Sequence, residues 1–300
     1  KTSISPKSYN NKYGVPLSLL NLNQTDNYGV LEVGMDKKGE IDYLSKIIRP
    51  DISVITNVNY AHAKNFKSIN QIALAKSEII QNTRAKGYVI LNSDDAFFEL
   101  HKKLAIKNKC KVISFGFKNK KSDIGFVNIK KKGIIYKIYI RIDDKKKFFY
   151  ISNNFQNTIY NILSTLAVMK IHKDVFKLNK NIFLNFKIPT GRGDLSRIKI
   201  NKKYINLIDE SYNSNPLSLK SAIANYDKLD SNKSKKYLLL GDMLELGRHS
   251  EKLHKSIVPF INKTKIDKVF VKGKKVISIF FSGFISLDNK EIKPLSAVIK

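Results

Sequence analysis

Between residues 28 and 117, short apolar runs alternate with stretches of helical period, and no other feature constrains the fold as tightly. Residues 28–33 (Tyr28-Gly29-Val30-Leu31-Glu32-Val33) read as a buried strand, and 40–48 as a helix. A second strand over 51–56, a helix over 68–82, a third strand over 87–91, a helix over 94–106 and a fourth strand over 111–115 continue the series. Strands joined by helices of about ten to fifteen residues must run parallel, with helices covering both sheet faces.

The pattern then changes. Runs at 126–129, 134–140 and 148–151 read as an antiparallel meander with lysine-rich turns, and 158–169 as a helix. The lysine runs at 118–121, 130–132 and 145–147 read as loops. Ile188-Pro189-Thr190-Gly191-Arg192-Gly193 is turn-like and marks a domain boundary. A hairpin over 196–208, a helix near Leu217, a strand over 237–240, a helix from Glu251 and a strand over 268–271 form a second, smaller α/β unit. Two domains also suit a length of 300 residues.

A hydrophobic share of 42% excludes wholesale disorder. No run approaches the roughly 18 apolar residues of a membrane span. The opening Lys1-Thr2-Ser3-Ile4-Ser5-Pro6 lacks the apolar core of a signal peptide, so a cytoplasmic location is expected. A single cysteine, Cys110, excludes an internal disulfide and a multi-cysteine metal site. The net charge of +30 invites a polyanion reading, yet only six of the 55 basic residues are arginine, the residue that reads bases and phosphates bidentately. Lysine here travels with Asn, Ile, Tyr and Phe, a compositional bias, so no nucleic-acid partner is expected. The opposite reading requires lysines gathered on one face.

Chemistry-bearing residues fall at the ends of the expected strands, where open α/β sheets bind ligands. Glu32 and His62 could share a divalent cation, or be an unrelated surface pair. Lys76 sits among apolar residues of a helix, either snorkelling or functional. Asp209-Glu210-Ser211-Tyr212-Asn213-Ser214-Asn215-Pro216 offers a carboxylate for ribose hydroxyls, while Asn215 and Pro216 also suit a helix start. Gly241-Asp242-Met243-Leu244-Glu245-Leu246-Gly247 is a catalytic loop or a structural turn.

Together these blocks resemble the Mur ligases, ATP-dependent amide-bond-forming enzymes of peptidoglycan synthesis. The resemblance rests on Tyr9-Asn10-Asn11-Lys12-Tyr13-Gly14-Val15-Pro16-Leu17, Glu32-Val33-Gly34 with Gly39-Glu40-Ile41, and Thr56-Asn57 through Ala61-His62. Ala75-Lys76-Ser77-Glu78-Ile79, Leu91-Asn92-Ser93-Asp94-Asp95, Gly191-Arg192-Gly193, the 209–216 and 241–247 segments and His254 complete it. The last two segments point to the branch joining D-alanyl-D-alanine to UDP-N-acetylmuramoyl-tripeptide through an acyl phosphate. The resemblance implies an α/β fold: a P-loop-type ATPase domain over 1–188, three-layered with a mostly parallel sheet and a meander, and a Rossmann-like domain over 189–300. It implies ATP and Mg2+, with Glu32, His62 and a carbamylated Lys76 at magnesium. Asn161, Arg192 and Asp209 would serve ATP, and Asn57, Asn213 and Asn215 the substrates. A monomer without membrane insertion is expected.

Three departures accompany the resemblance. The Gly-rich phosphate loop is missing, and Lys1-Thr2 lies too close to Tyr9 to be its remnant. Asn157-Thr158 replaces the family's His-Asn pair before Asn161. The domain holding the UDP-sugar is absent and the last domain short, so the chain is expected to be an inactive internal segment of a longer enzyme. Another Mur-type or folylpolyglutamate-type ligase, an inactive nucleotide-binding paralogue and a basic nucleic-acid-binding protein are the alternatives.

Overall fold

Residues expected to build a parallel sheet do so in a computed structural model of the chain, which describes residues 1–186, 188–200, 202–229, 234–281 and 291–294. The chain divides into two units, Lys1–Val58 with Asn65–Phe186, and Asn59–Lys64 with Lys187–Lys300. The first runs β1 (Thr2–Ile4), α1 (Gly14–Leu20), β2 (Tyr28–Val30), α2 (Glu40–Ile48), β3 (Ile52–Ile55), α3 (Ile69–Gln81), β4 (Tyr88–Asn92), α4 (Phe98–Lys107), β5 (Lys111–Gly116), β6 (Ile124–Lys132), β7 (Ile135–Ile142), β8 (Lys145–Ile151) and α5 (Gln156–His172). Its main sheet has the order β3-β4-β5-β6-β7-β8, parallel as far as β6 and antiparallel beyond.

The reason lies in which faces the strands bury. On β4, Ile90 packs with Phe115, Ile138, Phe149 and the α5 residues Ile159, Leu163 and Leu166. Its neighbours Val89 and Leu91 point the other way, to Ile55, Ile80 and Ala105. A strand buried on both faces must be apolar throughout, and each such side chain contributes about 1.5–3 kcal/mol. In the meander only one face is covered: Ile138, Ile140 and Ile142 are buried, while Lys137, Tyr139 and Arg141 alternate outward.

Two expectations need correction. The strand expected over 28–33 stops at Val30, is exposed throughout, and pairs in parallel with β1. Beyond it, the Glu32 amide donates to Ser5 Oγ and the Gly34 amide to the Asn10 carbonyl, which diverts the backbone from a ladder. The lysine runs 130–132 and 145–147 lie within β6 and β8 rather than in loops. Lysine is tolerated there because part of this sheet faces water.

In the second unit β9 (Asp194–Ile200) and β10 (Lys203–Asp209) form an antiparallel hairpin, whose residue 201 lies outside the described residues. Then follow α6 (Pro216–Lys228), β11 (Tyr237–Gly241), α7 (Ser250–Lys255), α8 (Val258–Asn262), β12 (Lys268–Lys272), α9 (Lys274–Phe281) and β13 (Glu291–Pro294). Strands β11, β12 and β13 are parallel over a core of Ile223, Leu240, Ile261, Val269 and Val271. Of the domain expected over 189–300, residues 201, 230–233, 282–290 and 295–300, with 187 just before it, lie outside the described residues.

Candidate functional site

Glu32 stands just past β2 and is exposed. Its carboxylate is not adrift: Asn10 Nδ2 donates to Oε1 at 2.9 Å, and the Asn10 carbonyl takes the Gly34 amide at 2.7 Å. A Cβ on Gly34 would crowd the Asn10 side chain at 3.0 Å. Asn11 caps α1 through the Tyr13 and Gly14 amides.

Lys76 projects from α3. Burial pushes its ammonium below the ordinary lysine range, and Asp95 opposes the shift. Asp95 accepts the Val58 amide at 2.7 Å and the Phe97 amide at 2.9 Å, which ties the residues after β3 to those after β4. The buried His101 ring lies 3.0 Å from the Ala73 carbonyl of α3, and burial lowers its pKa too. Glu78, two residues past Lys76 on α3, accepts the Gly39 and Asp42 amides and so caps α2. Among the described residues Lys76 Nζ has no hydrogen bond, which leaves an amine prone to be neutral and nucleophilic.

The second unit gathers a different set. Asn215 Oδ1 caps α6, accepting the Leu217 and Ser218 amides, and Ser218 Oγ completes the box by accepting the Asn215 amide. Asn215 Oδ1 also takes Asn59 Nδ2 at 2.5 Å. His62 Nδ1 lies 2.5 Å from Glu245 Oε2, and the Lys64 amide donates to the Glu245 carbonyl. His62 at φ 55° and Glu245 at φ 59° are both left-handed. Non-glycine residues hold that conformation at a cost of roughly 1–2 kcal/mol each, a mark of sites whose geometry is imposed. His254 steadies the loop: its Nε2 accepts the Met243 amide, so Nδ1 carries the proton toward the Ser250 carbonyl. Asp242 accepts the Lys275 and Val276 amides at the start of α9.

Arg192 and Asp209 meet at a doubled turn, where the Gly193 amide donates to the Asp209 carbonyl and the Tyr212 amide to the Gly191 carbonyl. The exposed Arg192 guanidinium rests 4.3 Å over the Tyr212 ring. Ser211, through its hydroxyl and its amide, holds Asp209 below the ordinary carboxylate range. Asn57 and Asn213 are exposed in loops, and Asn161 is exposed on α5.

Residues 1–169 match the model of the Mur ligase middle domain. The chain belongs to the Mur ligase family. It is 35% identical over 292 residues to a UDP-N-acetylmuramoyl-tripeptide–D-alanyl-D-alanine ligase of Buchnera aphidicola, covering 94% of this chain and 61% of the relative. Among solved structures it resembles MurF of Acinetobacter baumannii (TM-score 0.83, 24% identity, 98% of this chain and 61% of that one). It also resembles MurF of Thermotoga maritima in complex with ADP (TM-score 0.74, 24% identity, 90% and 60%). The chain thus spans about three fifths of the relatives it matches.

Of the residues expected at magnesium, Glu32 and Lys76 lie in the first unit and His62 in the second. Glu32 offers a carboxylate, and His62 an imidazole whose Nδ1 faces Glu245 Oε2. Lys76 is a desolvated amine. Among the described residues no three His, Cys, Asp or Glu side chains form a metal cluster by themselves. Sequence reasoning passed over Asn10, Asp95 and Glu245. Each lies inside a quoted block, but only the fold shows which partner it touches.

Proposed function

We propose that this Mur ligase joins D-alanyl-D-alanine to UDP-N-acetylmuramoyl-tripeptide at the cost of ATP, in the cytoplasm, as a step of peptidoglycan synthesis. The observation that carries the proposal is the similarity over nine tenths of the chain to a protein of that name. The desolvated Lys76 supports it.

In this reading a tripeptide carboxylate oxygen attacks the γ-phosphorus of ATP, and ADP leaves. The dipeptide amine then attacks the acyl-phosphate carbonyl carbon, loses a proton, and expels phosphate. Lys76 adds CO2 through its neutral amine, forming an N–C bond and releasing a proton, and becomes a carbamate. Glu32, His62 and that carbamate would hold magnesium, which supplies neutralisation of phosphate charge. Arg192 would bind phosphate, Asp209 would accept from ribose hydroxyls, and Asn161 would lie at the adenine. Asn57, Asn213 and Asn215 would orient the substrates. Positioning supplies most of the rate.

Phosphate release from the protein at its full natural length tests the proposal. Release should require ATP, the UDP-linked tripeptide and D-alanyl-D-alanine together. Release indifferent to the dipeptide would overturn the substrate assignment while leaving the family intact.

A further inference from the structure

We infer that the outward face of the β6–β7–β8 meander binds single-stranded nucleic acid, a function separate from the ligase reading. Three rings form a continuous row on this face: Tyr139 and Phe148 at 6.1 Å between centroids, Phe148 and Tyr150 at 5.6 Å. Lysines surround them. Lys137 Nζ lies 3.8 Å from the Phe148 centroid and 4.9 Å from that of Tyr139. Lys180 sits 4.5 Å from Phe148, and Lys132 5.5 Å from Tyr150.

Every charged residue within β6, β7 and β8 is basic. The acids nearest in sequence are Asp123, which lies just before β6 and accepts the Ser114 amide and hydroxyl, and Asp143 and Asp144 between β7 and β8, with Asp143 paired to Lys170. The register also sets like charges directly opposite each other, Lys130 against Lys137 and Arg141 against Lys146. Such cross-strand pairs weaken a sheet. Arg141 is compensated by the Asp143, Lys120 and Ser122 carbonyls. The Lys130–Lys137 pair has no carboxylate beside it in the ladder, and a polyanion laid across the strands would relieve it.

The occupant follows from the alternation. Rings 5.6 and 6.1 Å apart, tilted against one another and flanked by ammonium groups, suit a strand that alternates bases and phosphates. A duplex keeps its base faces stacked away, and an acidic peptide brings charge without flat faces. Within the meander, Lys130, Lys132, Lys137 and Lys146 share the face that carries these aromatics.

The test is fluorescence anisotropy of labelled oligothymidylate and oligouridylate of about twelve nucleotides, titrated with the 300-residue chain. Saturable binding is expected, with a log–log salt slope of about −3 if four lysines neutralise phosphates. Phe148→Leu and Tyr139→Leu keep the apolar bulk but remove the ring, and each should weaken binding about tenfold at fixed salt without changing the melting temperature. The Lys130→Glu/Lys137→Glu pair should abolish binding. No saturable binding at low salt overturns the inference. So does equal affinity for duplex DNA or heparin, indifference to both leucine variants, or binding to anionic vesicles that depends on the exposed Ile134 instead.

Discussion

At the scale of single residues, one carboxylate and one amine show how burial and hydrogen bonding set what a group can do. Burial alone would raise the pKa of Asp94, but amides of Phe117, Lys118 and Asn119 and the Tyr160 hydroxyl all donate to it and hold it below the usual aspartate value. A carboxyl with a depressed folded pKa stabilises the fold above its unfolded value, near 3.8, and that contribution fades as pH falls through the folded value. Asp94→Asn should therefore cost about 2–3 kcal/mol at neutral pH, and less below pH 3.8. Urea unfolding of both proteins across that range checks it. Lys76 is the converse case, a cation disfavoured by burial. Lys76→Ala should lower ligase turnover about 10–100-fold, and short added carboxylates should restore part of it. Full activity in Lys76→Ala would remove the carbamate from the account.

Among the elements, α2 and α3 are joined by one side chain. Glu78 lies on α3, is 7% exposed, and takes two amides at the start of α2, where Gly39 at φ 90° supplies no capping side chain. Glu78→Gln keeps the shape but replaces one acceptor oxygen with a donor. It should cost about 1–2 kcal/mol, read as a lowered melting temperature. The bounds of α2 follow from apolar spacing alone, as do β5 and β11 nearly to the residue. The start of α4 does not. Asp94 and Asp95 suggest a helix from 94, yet both serve loops from distant parts of the chain, and α4 begins at Phe98. Likewise β2 has the composition of a buried strand, and only its pairing with β1 shows that it is exposed. Local pattern specifies elements well where burial is periodic. It fails where a polar side chain answers to a partner tens of residues away.

For the whole molecule, each unit carries its own core, and candidate chemistry is distributed over both: Glu32, Lys76 and Asn161 in one, His62, Arg192, Asp209 and Asn215 in the other. The Mur ligase resemblance was legible because motif order survives even where single motifs are weak. The contacts of Asn59 with Asn215 and of His62 with Glu245 were not legible, because nothing local in residues 59–64 signals that they join the later unit. The central proposal is amide-bond formation through an acyl phosphate. The most direct measurement places 18O in the carboxylate of the tripeptide substrate and analyses the phosphate released by the full-length protein. The expected result is one labelled oxygen in each phosphate, carried over when the amine displaces it. Unlabelled phosphate, released at the same rate as new peptide, would contradict the account.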